Sequence, residues 1–177
     1  RPSPGLNIRR AGSEMAAGAL VLKKGRRLGT REIAVCAAAG AAQVRVRRPL
    51  RVALLVTGDE IRQAGADRSA AQIWDVNTPM LRAALMRPDI YLVAVETGLD
   101  SRDGLFLQIA ELAEIADLLI TTGGISVGEE DHVKPALTAM GADIIFSGVA
   151  IKPGKPVSFG QVRGALWLGL PGNPLSA

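Results

Sequence analysis

The stretch from Asp117 to Lys134, DLLITTGGISVGEEDHVK, constrains the fold more than any other part of the sequence. It opens, from Asp117 to Ile120, with three consecutive aliphatic residues and no polar alternation. A strand that is apolar on both faces is what a parallel sheet covered by helices on each side requires. The chain then breaks at Gly123-Gly124, with a third glycine at Gly128, before an acidic run and a helix predicted from about Asp131 to Met140. Glycines let the backbone turn sharply and approach a ligand closely. The N–H groups of the helix start would face that ligand and favour an anion. In an open α/β sheet the ligand crevice lies outside the carboxyl ends of the strands, which is where this loop falls. A plain glycine turn would account for the glycine pair alone. Thr121, Thr122, Ser126, Glu129, Glu130 and Asp131 add more hydroxyls and carboxylates than a turn needs.

The same pattern of strand, loop and helix recurs before this stretch. Arg51 to Val56 (RVALLV) reads as a buried strand followed by TGDE, and Gln63 to Gln72 as a polar loop. Thr78-Pro79 reads as a helix cap followed by proline at the first helical position, with Met80, Leu81, Ala84 and Leu85 on one face. Ile90 to Val95 is the next strand, and Asp100-Ser101 begins a helix with an apolar stripe at Leu105, Ile109, Leu112 and Ala116. Ile144 to Ala150, Pro156 to Phe159 and Ala165 to Leu170 read as strands, with a hairpin among them. Three such repeats followed by strands predict an α/β domain of three layers, α/β/α, with a largely parallel sheet.

The first 48 residues differ. Arg1 to Gly12 has two prolines and no period, and reads as a loop. Gly18 to Leu28 is expected to form two short strands around a turn at Lys24-Gly25. Thr30 is expected to cap a helix through Ile33 to Ala39, stopped by Gly40. Val44 and Val46 alternate with polar neighbours, as in a half-exposed strand. This part is too small and polar for a core of its own. At the other end, GLPGNPLSA looks like a further strand–loop–helix start, so C-terminal sequence is expected beyond Ala177. Without a covering helix, the aliphatics of Ala165 to Leu170 are expected to favour association of the 177-residue chain.

Composition narrows the class of function. The chain is 48% hydrophobic but only 3% aromatic, so small aliphatics must do the packing. No apolar run approaches the roughly 20 residues of a membrane span, and no secretory signal is visible, although the chain begins at Arg1 rather than Met. A lone cysteine, Cys36, allows no internal disulfide, and a reducing cytoplasm is expected. The net charge of +4 is spread over Arg9-Arg10, Arg26-Arg27, Arg45, Arg47 and Arg48 without interleaved aromatics. That argues against nucleic acid and suits small anionic ligands.

Three loops end strands expected to lie side by side: Thr57-Gly58-Asp59-Glu60, the glycine-rich loop, and Pro171-Gly172-Asn173-Pro174. A fourth feature, Ile151-Lys152-Pro153-Gly154-Lys155-Pro156, sets two lysines around a proline-glycine turn. Singly each has a bland explanation: Glu60 as a solvated carboxylate, Asp100 and Asp131 as helix caps, the lysines as turn charges. In this order the motifs NIRRAGSE, GALVLKKGRRL, VALLVTGDE, IWDVN, TTGGISVGEED with HVK, IKPGKP and GLPGNPLSA resemble the molybdopterin molybdotransferase family, which inserts molybdenum into molybdopterin. The glycine-rich loop also resembles that of the related molybdopterin adenylyltransferases and competence-damage-inducible proteins. NIRRAG, IKPGKP and GLPGNP separate the chain from both.

The resemblance implies an elongated homodimer of multi-domain subunits. Residues 1–12 would be the tail of a mobile domain, 13–48 part of a linking domain, and 49–177 the molybdopterin-binding α/β domain. It implies adenylylated molybdopterin and molybdate as substrates, Mg2+ as cofactor, and release of AMP. Glu60, Asp100 and Asp131 would be the catalytic carboxylates, with Asp100 and Asp131 as metal ligands. Substrate would be bound by Thr57, Gly58, Asp59, Asp75, Asn77, Thr122, Gly123, Gly124, Ser126 and Gly128, by Lys152 and Lys155, and by Pro171, Gly172, Asn173 and Pro174. Two positions depart from the family pattern: Gly148 stands where a lysine or histidine is frequent, and Val76 replaces a hydroxyl residue. The adenylyltransferase of the same pathway is a candidate partner, and no nucleic acid or membrane partner is expected. The adenylyltransferase activity itself and a non-enzymatic scaffold like gephyrin are the alternative functions.

Overall fold

In the computed structural model, which describes residues 3–124 and 132–177, the chain divides into two units, Arg1–Arg47 and Arg48–Ala177. The first carries helix α1 (Thr30–Ala38). Gly29, not Thr30, takes the N-cap position. Glu32 reaches back to accept from the Gly29 N–H at 3.0 Å and holds Arg26 at 2.6 Å. The Arg26 hydrogen bond, then those from the backbone N–H groups of Glu32 and Gly29, keep the Glu32 carboxyl below its ordinary range. Gly40 ends the helix in the left-handed region, at φ +77°, as expected of a C-terminal glycine. The turn at Lys24-Gly25 forms, with the Arg26 N–H donating to Lys23 O at 3.2 Å. The strands expected on either side of it, and at Val44 to Arg47, do not form. A strand needs a neighbour to receive its N–H and C=O groups, and no described segment of this unit supplies one.

The second unit is built around β1 (Leu50–Val56), whose Val52, Ala53, Leu54 and Leu55 are all fully buried. The chain continues through β2 (Ile61–Arg62), β3 (Ile73–Trp74), α2 (Asn77–Leu85), β4 (Ile90–Thr97), α3 (Arg102–Ile115), β5 (Leu118–Thr122), α4 (Val133–Ala139), β6 (Asp143–Ser147), β7 (Ser158–Val162) and β8 (Ala165–Leu170). Six strands form one sheet in the order β4-β1-β5-β8-β7-β6. The first four are parallel, and β7 runs antiparallel to both β8 and β6. β2 and β3 pair separately as a short parallel ribbon.

Strand alternation sorts β1 between the two layers. Ala53 and Leu55 join Leu105, Ile109 and Leu112 of α3 and Ala136 and Leu137 of α4. Val52, Leu54 and Val56 face the other side, with Leu81 and Leu85 of α2. The predicted stripe of α3 is therefore the buried one. On β8 the same alternation buries Ala165 and Trp167 and leaves Leu166 43% exposed, with Leu168 and Leu170 half-buried. Trp167 is fully buried and donates from Nε1 to Thr121 Oγ1 at 3.0 Å. The indole N–H thus has a partner in an otherwise apolar layer.

Helix starts differ from the expected ones by a residue or two. Asp75, not Thr78, supplies the capping oxygen of α2, with Oδ1 accepting from the Thr78 N–H at 2.9 Å. Ser101 caps α3, its Oγ accepting from the Gly104 N–H at 3.2 Å. α4 begins at Val133, so Pro135 is its third residue. β6 ends at Ser147 rather than Ala150, and β7 starts two residues later than expected.

At the amino end of the parallel strands, Asp117 ties β5 to β1. Its Oδ2 accepts from Arg48 Nη1 at 2.5 Å and from the Arg51 N–H at 2.9 Å, and its Oδ1 from Arg48 Nη2 at 2.8 Å and Arg51 Nη2 at 3.0 Å. The Arg48 guanidinium, then that of Arg51 and its backbone N–H, hold the Asp117 carboxyl far below the usual carboxylate range. A carboxyl depressed on folding stabilises the fold above its unfolded pKa, near 3.9, and loses that contribution as pH falls toward the folded value. Asp117→Asn is accordingly expected to lower the urea midpoint at pH 7 and to matter less at pH 3. Equal losses at both pH values would show that the charge is not what holds the two strands.

Candidate active-site cleft

The parallel strands end level with one another. Val56 is in register with both Thr97 and Thr122, and Thr122 with Leu170. Backbone bonds extend the level past the strand ends: Thr57 N–H to Thr122 O at 2.9 Å, Gly98 N–H to Val56 O at 2.8 Å, and Gly123 N–H to Leu170 O at 3.1 Å. Four loops therefore open on the same edge of the sheet. Between them lies a cleft of about 210 Å³, lined among others by Thr57, Gly58, Asp59, Glu60, Asp100, Gly123, Gly124, His132 and Gly172. It sits at the carboxyl ends of the strands, where open α/β sheets place their ligands.

Close backbone approach shapes the cleft floor. Gly123 has φ +78°, and a Cβ on it would stand 2.6 Å from Thr57 O. No side chain fits without moving backbone. A Cβ on Gly98 would meet Thr57 Cγ2 at 2.5 Å. The ribbon of β2 and β3 adds Ile61 and Ile73 to the wall, and the Ile73 N–H donates to Glu60 O at 2.8 Å. The Glu60 carboxylate folds back over Gly58, so that a Cβ there would lie 2.8 Å from Oε2.

Eight of the residues named from sequence line this cleft: Thr57, Gly58, Asp59, Glu60, Asp100, Gly123, Gly124 and Gly172. Asp100 is free of capping duty, which falls to Ser101. Thr122 lies beneath, fully buried. Asn77, 3% exposed, stands behind Gly172. Asp75 is engaged at the start of α2. Pro171 is buried, and Asn173 and Pro174 continue the turn, in which Asn173 Oδ1 accepts from the Leu175 N–H at 3.0 Å. Lys152 and Lys155 are exposed on their turn and do not line the cleft formed by the described residues. The Lys152–Pro153 peptide of that turn is cis. Ser126, Gly128 and Asp131 lie outside the described residues.

Sequence reasoning passed over Gly98, Leu99 and His132, all of which line the cleft. A glycine directly after the strand Ile90–Thr97 was the available signal for the first. His132, the chain's single histidine, lies in the HVK segment, where nothing singled it out as a ligand contact. Among the described residues no group of three or more acidic, histidine or cysteine side chains forms a self-contained metal cage. Also among them, no helix is long and apolar enough to cross a membrane.

Comparison with known proteins agrees with this geometry. Residues 53–177 match the family described as "Probable molybdopterin binding domain", and residues 1–40 match the "MoeA N-terminal region (domain I and II)". The chain is 38% identical over 178 residues to a molybdopterin molybdenumtransferase of Haemophilus influenzae, covering 99% of this chain and 43% of that protein. It is 36% identical over 180 residues to molybdopterin molybdenumtransferase 2 of Mycobacterium tuberculosis, covering 99% and 44%. The chain thus spans less than half the length of these curated relatives. A molybdopterin biosynthesis moeA protein of Pyrococcus horikoshii superposes with a TM-score of 0.73 at 30% identity, over 92% of this chain and 40% of that one. The MoaB enzyme of Thermus thermophilus shares the fold alone, at 21% identity and a TM-score of 0.53, over 72% of this chain and 84% of that one. With its second unit matched almost throughout by that model, the chain belongs to the molybdopterin-binding domain family, and the curated relatives it matches along nearly its whole length are named molybdopterin molybdenumtransferases.

Proposed function

We propose that this chain carries the site at which a molybdopterin molybdotransferase inserts molybdate into adenylylated molybdopterin, with release of AMP. The observation that carries the reading is that Glu60 and Asp100, from loops after different strands, open on one glycine-floored cleft. The wall of Gly58, Gly123, Gly124 and Gly172 lets a flat, phosphorylated ligand lie against backbone. Thr57, with Ser126 and Gly128 of the glycine-rich loop, would add hydroxyl and backbone contacts.

The donor set fits Mg2+. Magnesium prefers hard oxygens and is commonly held by one or two carboxylates, completed by water and substrate phosphates. Carboxylates of separate loops on one cleft suit that, whereas a self-contained cage would not. Asp100 and Asp131 would hold the ion, with Glu60 beside them orienting water toward the phosphate. Bound there, the metal would neutralise charge developing on the phosphate oxygens. The dithiolene sulfurs of the pterin would carry the molybdenum, so the lone cysteine, Cys36, is not needed for it. Residues 1–12 and 13–48 would belong to mobile and linking domains of a homodimeric, cytoplasmic enzyme.

Incubating the complete protein with adenylylated molybdopterin, molybdate and Mg2+ tests the reading. Release of AMP coupled to molybdenum incorporation is expected; intact substrate after prolonged incubation would refute it.

Lys152 and Lys155 would act at longer range, as point charges attracting phosphate or molybdate. Lys152→Gln and Lys155→Gln keep most of the packing stem and remove the charge. Each is expected to weaken binding of the phosphorylated pterin several-fold near 10 mM salt, and much less near 0.5 M, because the screening length shrinks from about 30 Å to well under 10 Å. A loss independent of salt would count against a charge role.

A further inference from the structure

The carboxamide of Asn77 meets one peptide group at the cleft. Its Nδ2 lies 2.7 Å from Gly172 O and 3.5 Å from Thr122 Oγ1. A carbonyl oxygen only accepts, so the amide nitrogen and not the amide oxygen must face Gly172. Asn77 Oδ1 is buried without a partner among the described residues. The residue is therefore placed for this one contact rather than for full satisfaction of its own polar atoms.

With Gly172 O directed inward at Asn77, planarity decides the rest. The Gly172–Asn173 peptide is trans, the cis bond among the described residues being Lys152–Pro153. In a trans peptide the N–H points opposite to the C=O. The Asn173 N–H thus points away from buried Asn77, in a turn whose Gly172 lines the cleft. Both oxygens of Asn173 are occupied: Oδ1 accepts from the Leu175 N–H at 3.0 Å and the carbonyl from the Ser176 N–H at 2.9 Å. The Asn173 N–H has no acceptor among the described residues.

We propose that Asn77 is a positioning residue that locks this peptide so that the Asn173 N–H is a fixed donor to an oxygen of a tetrahedral oxoanion. The anion is either molybdate or the phosphate of the adenylate, both of which present such an oxygen. The inference rests on the function proposed above and assigns Asn77 a place behind the wall rather than on the ligand. Turned over, the peptide would present the Gly172 carbonyl, which repels an anion. Pre-orientation before the ligand arrives is what makes a backbone donor effective.

The test combines residue-resolved hydrogen exchange with equilibrium dialysis, using molybdate and AMP in separate arms on the full chain. In the unchanged protein one of them is expected to slow exchange at the Asn173 amide, and which one does so identifies the anion. Asn77→Ala should abolish that protection and weaken binding of the same anion about tenfold, the range for a hydrogen bond to a charged group. Thr121→Val, which removes the acceptor of the buried Trp167 N–H away from the cleft, serves as a destabilised control and should keep both. Binding without protection at Asn173, full affinity in Asn77→Ala, or an equal loss in Thr121→Val would each overturn the proposal while leaving the proposed function standing. Should Asn77→Ala not fold, exchange in the unchanged protein decides alone. If neither anion binds the unchanged protein, the functional reading falls and this inference with it.

Discussion

The complete protein carrying Asp100→Asn is expected to melt as the unchanged protein does, and to lose about 100-fold or more of its turnover. The two halves of that expectation come from different features. Asp100 leads into α3, where an acidic residue is ordinarily a cap, yet the capping oxygen belongs to Ser101. Its carboxylate makes no hydrogen bond or ion pair to a described residue. Exposed side chains without such bonds usually change stability by less than about 0.5 kcal/mol when replaced. Asparagine keeps the shape but removes the charge that a magnesium ion and its phosphates would require. Glu60→Gln should behave alike, since its loop meets the same cleft. A normal rate in Asp100→Asn would return this carboxylate to the status of a solvated surface charge, whatever the fate of Glu60. A lowered melting point together with a lowered rate would instead point to a structural part that the geometry does not reveal.

Trp167→Ala should have the largest effect on stability, about 3–5 kcal/mol. Trp167 is the largest of the fully buried side chains and spans the layer between β8 and the helices α3 and α4. Its removal leaves a cavity that the neighbouring strands β5 and β7 cannot close, because each is pinned to β8 by ladder bonds. Thr121 Oγ1 would also lose the donor it now has at 3.0 Å. With total stabilities of roughly 5–15 kcal/mol for domains of this kind, the change consumes a large share of the margin. The expected fall in melting temperature is roughly 6–20 °C. Trp167→Phe separates the contributions: it restores most of the volume and should cost about 1–3 kcal/mol, chiefly for the unmet hydroxyl and the smaller ring. If alanine and phenylalanine are equally tolerated, the aromatic is not what fills this layer.

What could be read from the sequence is what local pattern controls. The apolar run of Ala165 to Leu170 coincides with β8 residue for residue, and Arg51 to Val56 falls within β1. Uninterrupted aliphatics between glycines and polar turns leave few other ways to bury a segment. The spacing of Leu105, Ile109, Leu112 and Ala116 marked the buried side of α3 for the same reason. Glycine pairs and acidic turns after strands located three of the four loops that form the cleft.

Tertiary structure decided whatever depends on a partner distant in sequence. The ribbon of Ile61–Arg62 with Ile73–Trp74 has two residues in each strand, too few for any periodicity, and exists through pairing across a polar loop. Conversely, the short strands expected in Gly18 to Leu28 and the alternating stretch at Val44 to Arg47 find no partner in their unit among the described residues, so these segments stay extended or turned. The cap position of α1 moved from Thr30 to Gly29, whose N–H Glu32 accepts, and the capping oxygen of α2 from Thr78 to Asp75, which lies close enough to accept from the Thr78 N–H. Asn77 read as a ligand contact in sequence. Only the level ends of β5 and β8 show that it is buried behind Gly172 with its amide committed to the wall. Sheet order likewise brings Gly98, after β4, and His132, before α4, to the same cleft as the loop after β1.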